Sequence, residues 1–333
     1  MHKETLPKAS RKREIIVNTL ILVTLLIAAV GLYVMGESYY VNLLSRIVIF
    51  AIAGVGLNLA LGYGGMVSLG HAAFFGLGAY ISGIAAFHFA ENSEFIAGVA
   101  GSNQMILIWI ISIIVIATIA TLIGVISIRT TGVYFIMITL AFAQMIYYFA
   151  ISWPDYGGED GLLMLSRNQF LLIDTNNAIS FFMISFGILL FSLALTSRIM
   201  SARFGAALDF ARINDIRLAT AGVNPFPIKL TAFVISAIIT GLAGALFADL
   251  NRFVSPDLLS WQMSGEIIIF ILLGGVGRLY GPVLGAAIFV LLETFIGGYT
   301  EHWKLFLGII LLLIVLFANG GLMQLLAGNK RHD

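Results

Sequence analysis

The chain has 333 residues, of which 60% are hydrophobic and only 11% are charged, and its mean hydropathy is +1.01. A soluble domain would carry about 25% charged residues, so this chain is predicted to be an integral membrane protein. The net charge of +1 indicates no attraction to nucleic acid, and the absence of cysteine excludes disulfides, thiolate catalysis and cysteine metal sites.

Apolar runs long enough to cross a membrane recur along the chain, since about 20 helical residues cover roughly 30 Å of hydrocarbon. We predict seven such spans, at 15–35, 41–61, 67–88, 105–127, 132–152, 178–198 and 230–250. Three further spans, at about 265–277, 282–297 and 305–325, are interrupted by glycine. The first run is predicted to be a retained span, because it is too long for a signal-peptide core. The fold is therefore predicted to be all-α, one transmembrane domain over 1–333 with about ten transmembrane helices.

The distribution of Lys and Arg predicts the orientation of these spans. If the N-terminus is inside, only Arg167, Arg252 and Lys304 lie outside and Arg46 lies within a span, which leaves fourteen of the 18 basic residues inside. Short cytoplasmic loops carry an excess of basic residues. The terminal segments 1–14 and 326–333 are therefore expected to be cytoplasmic.

The segment 202–222, ARFGAALDFARINDIRLATAG, is the only long polar stretch with a helical pattern between two strongly apolar blocks. Its apolar stripe consists of Phe204, Leu208, Ala211 and Leu218. Its charged residues include Arg203, Asp209, Arg212, Asp215 and Arg217, and Arg212 is spaced to pair with either aspartate. Ser201 can cap the start and Gly222 suits the C′ position. The pattern predicts one amphipathic cytoplasmic helix, either a docking element or a solvated connector.

The predicted external loop, 153–177, carries four acidic residues against the single Arg167. It is either a docking surface for a soluble partner or a solvated loop. The chain contains no GxxxxGK[ST] phosphate-binding loop, and the glycine-rich run 274–281 lacks the GxGxxG spacing. Any ATP that drives this protein is therefore expected to bind another chain. No nucleophile–base pair or metal constellation appears, so an enzyme is not predicted.

Two glycine-rich breaks, 61–78 and 273–285, interrupt apolar helices. Freed backbone groups are tolerated in a membrane only where protein or a water-filled cavity satisfies them, so broken helices often line pathways. Close helix packing through small residues is the alternative. The candidates for a translocation path at these breaks are Ser68, His71, Gly274, Gly275 and Gly277. His71 can equally be a hydrogen-bonded structural residue, and no second histidine at i+3 or i+4 supports a metal site.

Two charged residues lie within predicted spans, Arg46 and Glu266. Each would cost about 2.5–3.5 kcal/mol at a span centre, so each should face protein or water. They could pair with each other or contact substrate. Gln144, in the middle of a span, is a further candidate for the path.

Four blocks of the sequence resemble the LivM-type permease subunits of branched-chain amino acid ABC importers. The blocks are GLNLALGYGGMVSLGHAAFFGLGAY, TGVYFIMITLAFAQMIYYFAISWPDYGGEDGL, KLTAFVISAIITGLAGAL and GGVGRLYGPVLGA. They occur in the same order between about residues 40 and 292, so the resemblance covers most of the chain.

The resemblance implies one subunit of a membrane complex in a bacterial inner membrane. Its partners would be a second, LivH-like permease, two cytoplasmic ATPases that bind ATP and Mg, and a soluble extracytoplasmic binding protein. The chain itself would bind no cofactor. The segment 202–222 resembles the ATPase-coupling loop of this family. The coupling residues would be Arg203, Phe204, Leu208, Arg212, Asp215 and Gly222.

The resemblance implies inward transport of leucine, isoleucine and valine by alternating access. Related systems import urea, short amides or aromatic acids, so the substrate stays open. A self-sufficient transporter coupled to ions is the alternative from another class. It would need internal carboxylates as a relay, and only Glu266 and Glu293 are available, both near span ends.

Overall fold

Helices form most of the chain in the computed structural model, which describes residues 8–91, 93–95, 99–171, 173–300, 302–317 and 320–327. Of the predicted terminal segments, residues 1–7 and 328–333 lie outside these ranges. In chain order the helices are α1 (Lys8–Val34), α2 (Ser38–Asn58), α3 (His71–Ala90), α4 (Met105–Ser127), α5 (Val133–Ile151), α6 (Ala178–Ser201), α7 (Arg203–Ile213), α8 (Asp215–Thr220), α9 (Pro225–Asn251), α10 (Trp261–Gly274), α11 (Gly281–Gly297), α12 (Trp303–Phe317) and α13 (Leu322–Ala327).

The predicted spans correspond to ten of these helices, and the all-α membrane fold is confirmed. Among the described residues, seven helices are long and apolar enough to cross a membrane: α1 to α6 and α9. The three glycine-interrupted spans are α10, α11 and α12, with 14, 17 and 15 residues. At 1.5 Å per residue, α10 is only about 21 Å long. The span predicted at 305–325 ends at Phe317 as α12, and α13 follows it after a turn.

The helix at the centre of the bundle is α2. From Ile47 to Leu57 its sequence is apolar around the whole circumference, as expected of a helix that is buried on all sides. It packs against α6, α9, α10 and α11, and its side chains from Ile47 to Asn58 are buried. By contrast, α1 and α5 bury few of their side chains and direct large apolar residues outward. These outer helices therefore present an apolar surface outward, as helices that face lipid do.

Small residues bring the inner helices close together. A Cβ atom at Gly78 of α3 would overlap the carbonyl oxygen of Gly241 on α9, and one at Gly244 would overlap that of Phe75. A Cβ atom at Gly285 of α11 would likewise overlap the carbonyl oxygen of Phe270 on α10. These glycines permit contact between helix backbones, which is the usual basis of helix association in membranes.

Two short pairs of antiparallel strands are also present in the described structure. β1 (Glu94–Phe95) pairs with β2 (Val99–Ala100), and β3 (Leu162–Leu163) pairs antiparallel with β4 (Phe253–Val254). Because α9 runs from the end of α8 to the start of β4, α8 and β4 lie at opposite ends of the bundle. We call these ends the α7–α8 end and the β3–β4 end.

A buried polar network fixes the acidic loop 153–177 at the β3–β4 end. The carboxylate of Asp249 accepts hydrogen bonds from the backbone N–H and Nδ2 of Asn168, at 3.3 and 2.7 Å. Arg167 donates to the carbonyl of Thr175 at 3.0 Å, and its guanidinium lies 4.6 Å from the centre of the Phe181 ring. Buried polar groups that are paired in this way hold a loop in one position.

Candidate functional site

The first glycine break connects α2 to α3 through a π-helical turn, Leu59–Tyr63, and a non-helical segment. The span predicted at 67–88 begins only at His71, because Gly65 has a positive φ of +66° and Leu69 lies in a bend. Ser68 Oγ accepts a hydrogen bond from the N–H of Gly70 at 3.1 Å. This local bond closes the turn before α3.

His71 lies inside the bundle with no exposed surface. Its Nε2 is 2.8 Å from Ser236 Oγ, and Ser236 donates its only proton to the carbonyl of Gly56 at 2.6 Å. His71 Nε2 therefore carries the proton and donates to the serine. Ser264 of α10 adds a second link, because it donates to Leu69 O at 2.7 Å and accepts from Ala72 N at 2.8 Å. The start of α3 is thus bound to three other helices.

The two glycine breaks meet at Asn58, which sequence reasoning missed. Asn58 is buried near the end of α2, and its Nδ2 donates to the carbonyl of Arg278 at 2.9 Å. Its Oδ1 accepts from the N–H of Gly277 at 3.0 Å. Gly275 and Gly277 have φ angles of +118° and +73°, which explains why glycine occupies both positions. An asparagine in an otherwise apolar span was the available signal.

We call this contact the break junction and define it by Asn58, Gly62, Gly275, Gly277 and Arg278. Gly62 is packed so closely that a Cβ atom there would come within 2.6 Å of Gly277 N. Arg278 also donates to the carbonyl of Met323 at 3.1 Å. The junction therefore joins α2, the α10–α11 loop and α13. Gly274 adjoins it and lies against the backbone of Gly281.

The segment 202–222 forms two helices, so the prediction of one continuous helix is wrong. The chain breaks at Asn214, whose φ and ψ are −161° and 106°. Its side chain accepts from Arg217 N at 3.0 Å and caps α8, as asparagine commonly does. Ser201 does not cap α7, since its hydroxyl donates to Arg198 O. Gly222 does have the left-handed conformation predicted for it, with φ +84°.

The apolar stripe of this segment faces the bundle. Leu208, Ala211 and Leu218 are buried, and Phe204 is half-buried. A second group of apolar side chains, which the stripe did not predict, is exposed. Ile213 and Ile216 are 77% and 76% exposed, and Phe210 is 52% exposed.

Two charged residues of the segment contact groups outside it. Arg212 donates to the carbonyl of Gly62 at 2.7 Å, and its aliphatic part packs on Gly65. Asp215 forms an ion pair with Lys229 of α9. Arg212 thus connects α7 directly to the break junction. Arg203 is exposed at the start of α7.

The intramembrane charges line a cavity of about 590 Å³ toward the β3–β4 end. Arg46 does not pair with Glu266: its Nη2 lies 2.8 and 2.9 Å from the two carboxylate oxygens of Glu293 on α11. Glu266 and Gln144 lie in the wall of the cavity beside Arg46, together with Lys304. The structure therefore brings together Arg46, Glu266 and Gln144, which the sequence analysis named as candidates. Sequence analysis did not identify Glu293 as the partner of Arg46.

Comparison with known proteins supports one family. The family model described as "Branched-chain amino acid transport system / permease component" matches residues 39–316. The high-affinity branched-chain amino acid transport system permease protein LivM of Escherichia coli (strain K12) is 26% identical over 330 residues, and that of Salmonella typhimurium (strain LT2) is 24% identical. Each alignment covers 92% of this chain and 75% of the relative. No solved structure matches. The chain belongs to the family of permease components of branched-chain amino acid transport systems.

Proposed function

We propose that this chain is the transmembrane permease subunit of an ATP-binding-cassette importer that moves leucine, isoleucine and valine inward by alternating access. The family match over residues 39–316 carries the proposal. The chain has no phosphate-binding loop of the GxxxxGK[ST] type, so ATP and Mg bind to separate ATPase subunits. A LivH-like permease and an extracytoplasmic binding protein complete the complex.

In this proposal the α7–α8 end faces the cytoplasm of a bacterial inner membrane, with both termini on that side. The excess of basic residues in the loops at this end supports the orientation. The acidic loop 153–177 then faces outward, where the binding protein docks. Asp155, Glu159 and Asp160 are exposed there, and the Asp249 network keeps the loop in a fixed position.

The exposed apolar group Phe210, Ile213 and Ile216 is our candidate ATPase-docking surface. Exposed apolar side chains surrounded by polar residues are typical of protein interfaces. Motion of the docked ATPases would reach the bundle by two contacts. One is the buried stripe that includes Leu208, and the other is the hydrogen bond from Arg212 to Gly62. Both end close to the break junction, which would act as the cytoplasmic gate.

The function is tested by reconstituting the chain in liposomes with its companion permease, ATPases and binding protein. We expect ATP-dependent accumulation of radiolabelled leucine, and ATP hydrolysis stimulated by leucine-loaded binding protein. ATP hydrolysis that is stimulated by urea or an amide but not by leucine would contradict the proposal that leucine is a substrate. Uptake by this chain alone, without ATP, would instead support an ion-coupled transporter.

Replacing Ile213 and Ile216 with aspartate should weaken ATPase docking. The change places charges at the centre of an apolar contact, where single substitutions typically lose about 2 kcal/mol or more. We expect the ATPases to be lost from the purified complex, while the two permeases stay together. The matched control is Leu165→Asp, because Leu165 is 78% exposed but lies at the opposite end. Full ATPase retention in the double variant would exclude this surface.

A further inference from the structure

We propose that the cavity between α2, α5, α10 and the start of α12 is the site at which the permease receives its substrate, and that it binds a zwitterionic amino acid with an apolar side chain. The inference rests on the proposed function and adds a binding site to it. We call this cavity the charged cavity. Its charged lining residues are Arg46, Lys304, Glu266 and Asp257.

The charges of the cavity are balanced, with two cations and two carboxylates in the wall. Glu293 lies behind Arg46 and holds its Nη2 at 2.8 Å, so the guanidinium has a fixed position. Glu266 lies one and a half turns into α10, where the positive charges of Lys304 and Arg46 act on it, but the described part of the chain gives it no direct hydrogen bond or ion pair. Its carboxylate is therefore free to accept hydrogen bonds from the ammonium group of a bound ligand.

Donor groups of the same wall are available to a carboxylate. The side chain of Arg46 is 31% exposed although Glu293 holds its Nη2, and Lys304 lies in the same wall, so both can donate hydrogen bonds into the cavity. A carboxylate accepts such bonds well, and bonds to charged groups are the strong ones. The wall therefore offers donors for a carboxylate and Glu266 for an ammonium group.

The remaining surface suits an apolar side chain. Phe50, Phe247 and Met263 line the cavity beside the charged residues. The ring of Phe50 stacks on that of Phe247 at 5.3 Å, which gives a rigid apolar wall. A neutral amide or urea would gain little from charges of both signs, and a simple acid would be repelled by Glu266 and Asp257 without offering them an ammonium group. The arrangement thus favours an amino acid over the other small molecules that related systems import.

The first test replaces Glu266 with glutamine in the reconstituted importer. Glutamine keeps the size of the side chain and removes its charge, so we expect leucine uptake to fall by about tenfold or more. ATP hydrolysis without leucine and assembly of the complex should be unchanged. The matched control is Glu37→Gln, which removes an exposed carboxylate just before α2, at the same end but outside the acidic loop. Leucine uptake within twofold of the wild type in Glu266→Gln would overturn the inference.

The second test does not depend on the activity of a variant. Because the chain has no cysteine, a single Met263→Cys substitution can be labelled selectively in this chain with a small water-soluble thiol reagent. In the presence of the binding protein, added leucine should slow this labelling at least fivefold. Tyr299→Cys is the control, because Tyr299 is 93% exposed outside the cavity and its labelling should not change.

The outcomes separate the two proposals. If the wild-type importer shows no leucine uptake, the proposed function fails. If it transports leucine while leucine leaves the labelling of Met263→Cys unchanged, only the charged cavity is excluded as the site.

Discussion

Replacing Asn58 with leucine is expected to reduce leucine uptake more than tenfold and to lower the free energy of unfolding of the complex. Leucine has the same number of side-chain heavy atoms and the same branching as asparagine but cannot form the bonds to Arg278 O and Gly277 N. Both backbone groups would be left buried without a partner, at about 1–3 kcal/mol each. The two unpaired groups together would lower the free energy of unfolding by about 2–6 kcal/mol, because Asn58 no longer joins the two breaks. Thermal melting of the purified complex and ATP-driven uptake measure the two effects.

The control for this variant is Asn18→Leu. Asn18 also lies in an apolar helix, α1, but its Oδ1 is buried without a hydrogen-bond partner in the described structure. Removing an unpaired polar atom should leave the melting temperature unchanged or raise it slightly. Equal behaviour of the two variants would show that the bonds of Asn58 contribute nothing to the break junction.

The hydrogen bond of Arg212 couples any movement of α7 to the break junction. Since Arg212 donates to the carbonyl of Gly62, which belongs to the junction, a shift of α7 moves that carbonyl or breaks the bond. The π-helical turn that contains Gly62 has a weaker hydrogen-bond pattern than an α-helix and deforms more easily. In an importer, this is the element on which the ATPase stroke would act.

The sequence was sufficient for the number and position of the long helices, because each is a nearly unbroken apolar run. The sequence predicted the ends of helices less reliably where glycine residues lie nearby. The third span was predicted to begin at 67 but begins at His71, since Gly65 and Ser68 form a turn whose hydrogen bonds are local. Hydropathy does not distinguish this turn from helix, as its residues remain apolar. In the same way, α10 ends at Gly274 rather than at the predicted residue 277, because Gly275 has a φ of +118°.

The partners of polar residues could not be predicted. Arg46 and Glu293 are 247 positions apart, and only the packing of α2 against α11 brings them together. Glu266 was the predicted partner of Arg46, but it lies elsewhere in the wall of the cavity, and Glu293 forms the ion pair instead. The break at Asn214 was hidden because the apolar stripe continues in phase from Ala211 to Leu218. Only the capping preference of asparagine pointed to it.

The packing of α3 on α9 predicts a second large effect on stability, that of Gly244→Ala. The added methyl group would overlap the carbonyl oxygen of Phe75, which is backbone and cannot rotate away. The helices would have to separate, and the loss of contacts along their whole interface should cost about 3 kcal/mol. We expect little folded protein after mild heating, measured by fluorescence-detected size-exclusion chromatography in detergent.

The matched substitution is Gly187→Ala in α6, where a Cβ atom would meet nothing within 4 Å. Alanine is the better helix former by about 0.8–1.0 kcal/mol, so this variant should be as stable as the wild type or more stable. The two substitutions are chemically identical, and only the distance to a neighbouring backbone differs. If Gly244→Ala melted at the same temperature as Gly187→Ala, α3 and α9 could not be in backbone contact. The position of His71 beside Ser236, which depends on that contact, would then be wrong as well.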